Sequence, residues 1–496
     1  MVERIRQAFT GRAAAIGVLG AVLLLAGGSL YQSLITPPYR FIDEQAHAGY
    51  VLAIQDGRLP TIDTPIDQAS AGPALRTRLA GEPERRRDVW VANNPPLTYL
   101  LASGPSAATR ALGLPGGPLL GLRLVNIAAV AGAVVLSYLL GRDLAGGDRT
   151  VGLVAAGLVA AAPHLGFVAS LGFNDGVAIL TTTAVLLGLA RVAGARPASI
   201  SPEAAIRWLG VSCLLAALAR PMSLVMAVVA AVLGLIVIWW RRTAPLGWSL
   251  AWLAGPSVVG AGWFYVLNVV RYGDPTGSQA LFDKFLREPS GTLWSALTAR
   301  GVWESALRTI WTRRLQAPLP DDPHSWYVAA LWITVAGVVG VAVLVAWSAL
   351  RNRNGTATPI GRLPSPVPLP GTAWMAVAVV ALVPVLLTAQ HRSGGGSSYP
   401  RYLLPMLPVV AAAIALTAVR FGTRWLGLAL VALLAAGSFR QTRASARWLA
   451  GHPEGPPGSE LVTAYGSELV RGSGLILAGV GLVLVLAAIA RDPRQA

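Results

Sequence analysis

Lysine is nearly missing from this chain. Lys284 is the only one among 40 lysines and arginines, and the 496 residues include just 23 acids. A net charge of +17 carried almost wholly by arginine fits a high-GC coding bias and basic loops. It is a poor argument for a nucleic-acid partner, and none is expected. Cysteine is equally scarce: Cys213 stands alone inside an apolar run, which excludes an intramolecular disulfide and any CxxC metal site. Charged residues make up only 13% of the chain, against 54% hydrophobic.

What is abundant is long apolar sequence. Runs near 20 residues recur from end to end, each long enough to cross about 30 Å of hydrocarbon as a helix. The expected class is an all-α polytopic membrane protein of about twelve spans. They lie near 13–35, 121–141, 151–170, 175–193, 204–219, 222–240, 247–269, 326–350, 372–389, 402–419, 424–438 and 472–490. The first follows MVERIRQAFTGR with no small-residue cleavage site, so a retained helix is expected rather than a signal peptide. The segment 96–114 is apolar enough to compete as a further span.

Orientation follows from the arginines. With a cytoplasmic N-terminus, Arg4, Arg6 and Arg12 lie inside, as do Arg142 and Arg149, Arg191 and Arg196, Arg241 and Arg242, and Arg351 and Arg353. Both termini are then cytoplasmic and the chain is a multi-pass protein of the cell membrane. The outer face receives 36–120, the FND turn at 173–175, 270–325, 390–401 and 439–471. The division expected is a catalytic transmembrane module over 1–350, a Pro/Gly/Arg-rich cytoplasmic linker over 351–371, and C-terminal helices over 372–496.

Four pieces with chemistry fall on that outer face: FIDEQAH (41–47) with GRLP (57–60), NNPPLTYLL (93–101), FND (173–175) and YPRYLLP (399–405). Acids next to a bilayer, in a chain that otherwise avoids charge, point to function. Asp43 and Glu44 also suit the cap of a helix beginning near Gln45, and Asn174 or Asp175 suits the cap of the fourth span. Arg401 is equally placed to anchor the tenth span by snorkelling. The triplet Arg85–Arg86–Arg87, flanked by Glu82, Glu84 and Asp88, is expected as a self-neutralised solvated helix. Trp294, Trp303, Trp311 and Trp326 suit an aromatic belt, and Pro95 and Pro96 set the start of an interfacial helix.

In order and sidedness these pieces resemble the GT-C class of membrane glycosyltransferases. The nearest branch in style holds the protein O-mannosyltransferases and the aminoarabinose transferases acting on lipid A. The shared marks are an Asp-Glu pair after the first span, a Pro-Pro-Leu segment with a following aromatic, an acid after the third span, and Arg-Tyr-x-x-Pro before a late one. They cover about the first 280 residues and 390–408. The resemblance implies a polyprenyl-phosphate-linked sugar donor and an acceptor hydroxyl on a cell-envelope glycan, lipid or protein, with inversion at the sugar. It implies Asp43 as general base, with Glu44 sharing or supporting that duty. Asp175, with Asn174, would hold the acceptor or position Asp43, while Arg401, Arg392 and Arg220 would bind the donor phosphate. His47, Tyr99 and Tyr402 are expected in the substrate pocket. No cofactor is implied; a divalent metal is used in parts of the class, and His47 is the residue open to that role. The competing readings are a polytopic transporter or lipid-linked-sugar flippase, and a polymerase or ligase. Against them stand the scarcity of mid-span charge, the absence of an internal repeat, and acids placed early in the chain rather than in a late loop.

Overall fold

The computed structural model describes residues 2–41, 43–70, 72–114, 116–304, 310–311, 324–353, 369–397, 399–451 and 468–491. The helices in chain order are α1 (Val2–Ile35), α2 (Glu44–Gln55), α3 (Pro73–Ala80), α4 (Leu97–Ala111), α5 (Pro118–Leu144), α6 (Arg149–Ala161), α7 (Pro163–Ala169), α8 (Asp175–Val192) and α9 (Pro202–Ala219). They continue as α10 (Pro221–Arg241), α11 (Leu246–Tyr272), α12 (Ser278–Lys284), α13 (Leu293–Thr298), α14 (Arg300–Glu304), α15 (His324–Arg353), α16 (Gly371–Ser393), α17 (Leu407–Phe421), α18 (Arg424–Gly451) and α19 (Glu468–Ala490). Among the described residues no strand forms, and the sole β-type pairing is one isolated bridge between Pro65 and Asp88.

Eleven of these helices are long and apolar enough to cross a membrane, and the bent pair α6–α7 makes a twelfth. Helices therefore lie at all twelve expected positions, the third of them bent by 62°. The break has a local cause: Pro163 forces the preceding Ala162 out of the helical region, to ψ 113°. Segment 96–114 does not span. Its helix α4 has only 15 residues and begins directly after Pro95 and Pro96.

α1 and α19 pair along their length, which ties the two ends of the chain together. Glycine makes this contact possible: a Cβ on Gly27 would lie 2.5 Å from the Gly474 carbonyl, and one on Gly481 would lie 2.3 Å from the Leu24 amide nitrogen. Many other helix faces carry exposed Val, Leu and Trp, as lipid-facing surfaces do. The loop-rich end of the bundle carries a second hydrophobic core, separate from that of the spans. Tyr39, Tyr50, Leu75, Trp90 and Tyr99 pack there, so the segments after α1 form a folded cap.

Several expectations change at this end. Segment 390–401, expected as an outer loop, is partly helical: α16 continues to Ser393, and a 3-10 helix (Pro400–Met406) leads into α17. The arginine triplet holds only a single 3-10 turn (Glu84–Arg86), and Asp88 pairs with Lys284 rather than with the triplet. Trp294 and Trp303 are exposed, but Trp311 is buried and donates to Thr334 at 2.7 Å, so it leaves the belt. The Trp326 side chain, most of the 351–371 linker (354–368) and 452–467 lie outside the described residues.

Candidate active site

α2 starts one residue earlier than expected, at Glu44, with Asp43 in the cap position. Asp43 has helical φ and ψ of −84° and −17°, and its side chain makes no capping hydrogen bond. Its carboxylate instead accepts from Nη2 of Arg401, 358 residues along the chain. Both side chains stay within reach of solvent, at 27% and 13% exposure. Arg401 stands on the 3-10 turn before α17, where its guanidinium meets the rings of Phe173 at 4.5 Å, Tyr399 at 5.1 Å and Tyr402 at 5.5 Å.

A second pair shares contact with Tyr402. Arg220 lies between α9 and α10 in extended conformation, as Pro221 after it requires. Its Nη1 donates to Asp175, and its guanidinium lies 4.9 Å from the Tyr402 ring. Two cations thus meet one aromatic ring, each paired with one carboxylate.

Glu44, next to Asp43, has a different fate. It is fully buried and receives Nε and Nη2 of Arg123, both at 3.0 Å, and the Gly172 amide at 3.0 Å. Arg123 also donates to the carbonyls of Ser33 and Thr36 at 2.9 and 3.0 Å. This pair locks α2, the end of α1 and the turn before α8 onto α5, and Glu44 is not among the residues lining the cavity that Asp43 meets. Sequence reasoning passed over Arg123; the available signal was an ionisable residue inside an apolar run.

The FND turn is shaped by another unforeseen residue, Asn126 of α5. Its amide donates to the carbonyls of Val168 and Leu171 at 2.8 and 2.9 Å, and its oxygen accepts from the Gly176 amide at 2.6 Å. A Cβ on Gly176 would fall 2.0 Å from that oxygen, so only glycine fits. Asn174 is held buried by this turn, and its Nδ2 has no hydrogen-bond partner.

These groups form the floor of a cavity of about 840 Å³ lined by Asp43, His47, Asn174, Arg220, Arg401 and Tyr402. Its walls come from 86–94, from 274–287 and from the end of α16, including Arg86, Trp90, Arg287 and His391. The wall at 274–287 is pinned by Lys284, which donates to Asp63 at 2.7 Å and to Asp88 at 2.6 Å. On its far side the Asp43–Arg401 pair borders a smaller chamber of about 80 Å³ among Phe41, Phe167, Phe173 and Tyr399.

His47 turns away from ligation. Its Nδ1 lies 2.9 Å from the Tyr99 hydroxyl, and burial pushes its pKa down to about 4 despite the nearby Asp43, so the ring is neutral. Tyr99 lies behind it, fully buried and stacked on Tyr50 at 3.8 Å. Burial works to raise the Asp43 carboxyl, but the charge and hydrogen bond of Arg401 outweigh it and hold the group below its usual range. Arg392 is not a lining residue; its carbonyl accepts from Ser290 at 2.6 Å. Among the described residues no three His, Cys, Asp or Glu side chains converge as a metal site would require. The floor therefore offers a carboxylate, two guanidinium groups and a buried amide around one cavity.

No protein-family profile and no curated protein matches the sequence. Solved structures do. The crystal structure of ArnT from Cupriavidus metallidurans bound to undecaprenyl phosphate superposes with a TM-score of 0.51 at 15% identity, covering 94% of this chain and 76% of that one. Apo ArnT from the same organism gives 0.47 at 16% identity, with 93% and 74% covered. The Archaeoglobus fulgidus oligosaccharyltransferase in complex with Zn and sulfate gives 0.37 at 13% identity, with 72% and 44% covered. The chain has an ArnT-like fold.

Proposed function

We propose that this protein is an inverting membrane glycosyltransferase that moves a sugar from a polyprenyl-phosphate donor to an acceptor hydroxyl. The observation that carries the reading is the Asp43–Arg401 pair on the floor of the 840 Å³ cavity, with Arg220 beside it. The undecaprenyl phosphate bound by the ArnT of like fold supports a lipid-phosphate donor. By the arginine distribution the loop-rich end faces outward, so the donor is reached from the outer leaflet.

The chemistry follows from the residues. The acceptor hydroxyl enters the cavity and gives its proton to Asp43 as its oxygen bonds to the anomeric carbon. The bond from that carbon to the phosphate oxygen breaks, and polyprenyl phosphate leaves with one more negative charge. Arg401 and Arg220 neutralise that charge, and both guanidinium groups rest against the Tyr402 ring. Attack opposite the phosphate inverts the centre. Asp43 is the base because its carboxylate meets the cavity, whereas Glu44 is enclosed. Asn174 contacts the acceptor or the sugar, and Asp175 positions Arg220.

The test is transfer from synthetic polyprenyl-phospho-sugars by purified protein in lipid, wild type against Asp43→Asn. Turnover in the wild type that vanishes in the variant supports the reading; equal turnover in both removes Asp43 from the chemistry.

A further inference from the structure

We infer that Arg401 is a shared cation which the donor phosphate takes from Asp43, so that Asp43 becomes a free base only once the donor is bound. This rests on the lipid-phosphate donor reading above.

The geometry leaves the arginine little choice. Its guanidinium is confined among Phe173, Tyr399 and Tyr402, so it cannot swing out to meet a ligand while keeping its present contact. An incoming anion has to approach it from the cavity, where Asp43 already stands. The bond to Asp43 is the single side-chain hydrogen bond of this guanidinium among the described residues, and its buried Nε–H has no partner. A fork of five donors is thus far from saturated, and a phosphate that uses two of them competes well with one carboxylate oxygen. The two anions cannot both sit against one confined cation at low cost, because like charges at close range in a partly dry site repel strongly.

Arg123 supplies the contrast. It spends its donors on Glu44 and three backbone carbonyls, so no anion can enter. Arg401, with one bond, is built for exchange. The exchange also imposes an order. An acceptor hydroxyl that arrives first meets a carboxylate already engaged by a guanidinium; one that arrives after the donor meets a free carboxylate.

The deciding experiment is equilibrium binding of synthetic polyprenyl phosphate to the full-length protein in lipid nanodiscs, for wild type, Asp43→Asn, Asp43→Ala and Arg401→Gln. Removing the competing carboxylate is expected to tighten binding about tenfold in both Asp43 variants, within the usual range for two coupled charges, while abolishing transfer. Arg401→Gln is expected to weaken binding. Unchanged or weaker binding in both Asp43 variants, with wild-type thermal stability retained, overturns the exchange. If wild type itself does not bind polyprenyl phosphate, the donor reading fails instead, and that result is recognisable without any variant.

Discussion

Two carboxylate–arginine pairs occupy the loop-rich end, and their acids are adjacent in sequence. Glu44 and Arg123 are almost completely shielded, and both carboxylate oxygens and all three guanidinium nitrogens are hydrogen-bonded. Asp43 and Arg401 share one hydrogen bond and lie open to a cavity on one side and a small aromatic chamber on the other. One helix start therefore holds both kinds of acid. The residue on the buried face of α2 fastens the cap to the spans, and the residue that precedes the helix is left facing the cavity. Saturation of the partner arginine separates structure from chemistry here more cleanly than acidity or burial does.

The comparison breaks most visibly in turnover. Asp43→Asn is expected to lower kcat by about 10²- to 10⁴-fold, the usual worth of a positioned base, with no loss of thermal stability. Glu44→Gln should do the reverse. It leaves Arg123 buried without its anion, at a cost of about 3–5 kcal/mol, which thermal unfolding in detergent or nanodiscs would register. If Glu44→Gln is stable and merely inactive, the division of labour is wrong.

A smaller effect sharpens the same contrast. Arg401→Lys keeps the charge but loses the planar fork, and kcat/KM is expected to fall by about 10- to 100-fold. The pH profile reads the same pair. Asp43 works as the anion, and it is faced by Arg401, His47 and Arg220. Burial raises its carboxyl, Arg401 more than offsets this, and the net shift is downward. The acid limb of kcat/KM should then lie below the ordinary carboxylate range, leaving activity flat down to about pH 5. Arg401→Gln removes the offset while burial remains, so the limb should move to higher pH; a limb that stays put would detach Arg401 from the base. The smallest effect is expected at Trp294, which is 74% exposed: Trp294→Ala should change stability by less than about 0.5 kcal/mol.

The spans were readable because lipid imposes one simple demand, a run of apolar residues long enough to cross it, and each of the twelve met that demand locally. The floor residues were less readable. Asp43 stood out as an acid beside a bilayer, and Arg401 as a basic residue before a late span. Their contact joins positions 358 apart, and nothing local to either encodes it. Arg123 and Asn126 were passed over because each sits inside an apolar helix and acts through partners on α1, α2 and α7–α8. Arg392 shows the opposite failure. It shares a short segment with Arg401, but the extension of α16 to Ser393 carries it off the cavity lining.

The sequence by itself determined that the chain is helical and many-spanned, roughly where each span lies, and which few acids and arginines lie between the spans. Those properties depend on composition within windows of about 20 residues, where hydrophobicity dominates. Tertiary structure alone decided which of two adjacent carboxylates meets the cavity, which arginine each one finds, and which histidine nitrogen faces a tyrosine. Those outcomes depend on how helices from distant parts of the chain pack. Charge pairing acts over only a few ångströms, so a residue's role is assigned only when packing brings its partner within reach.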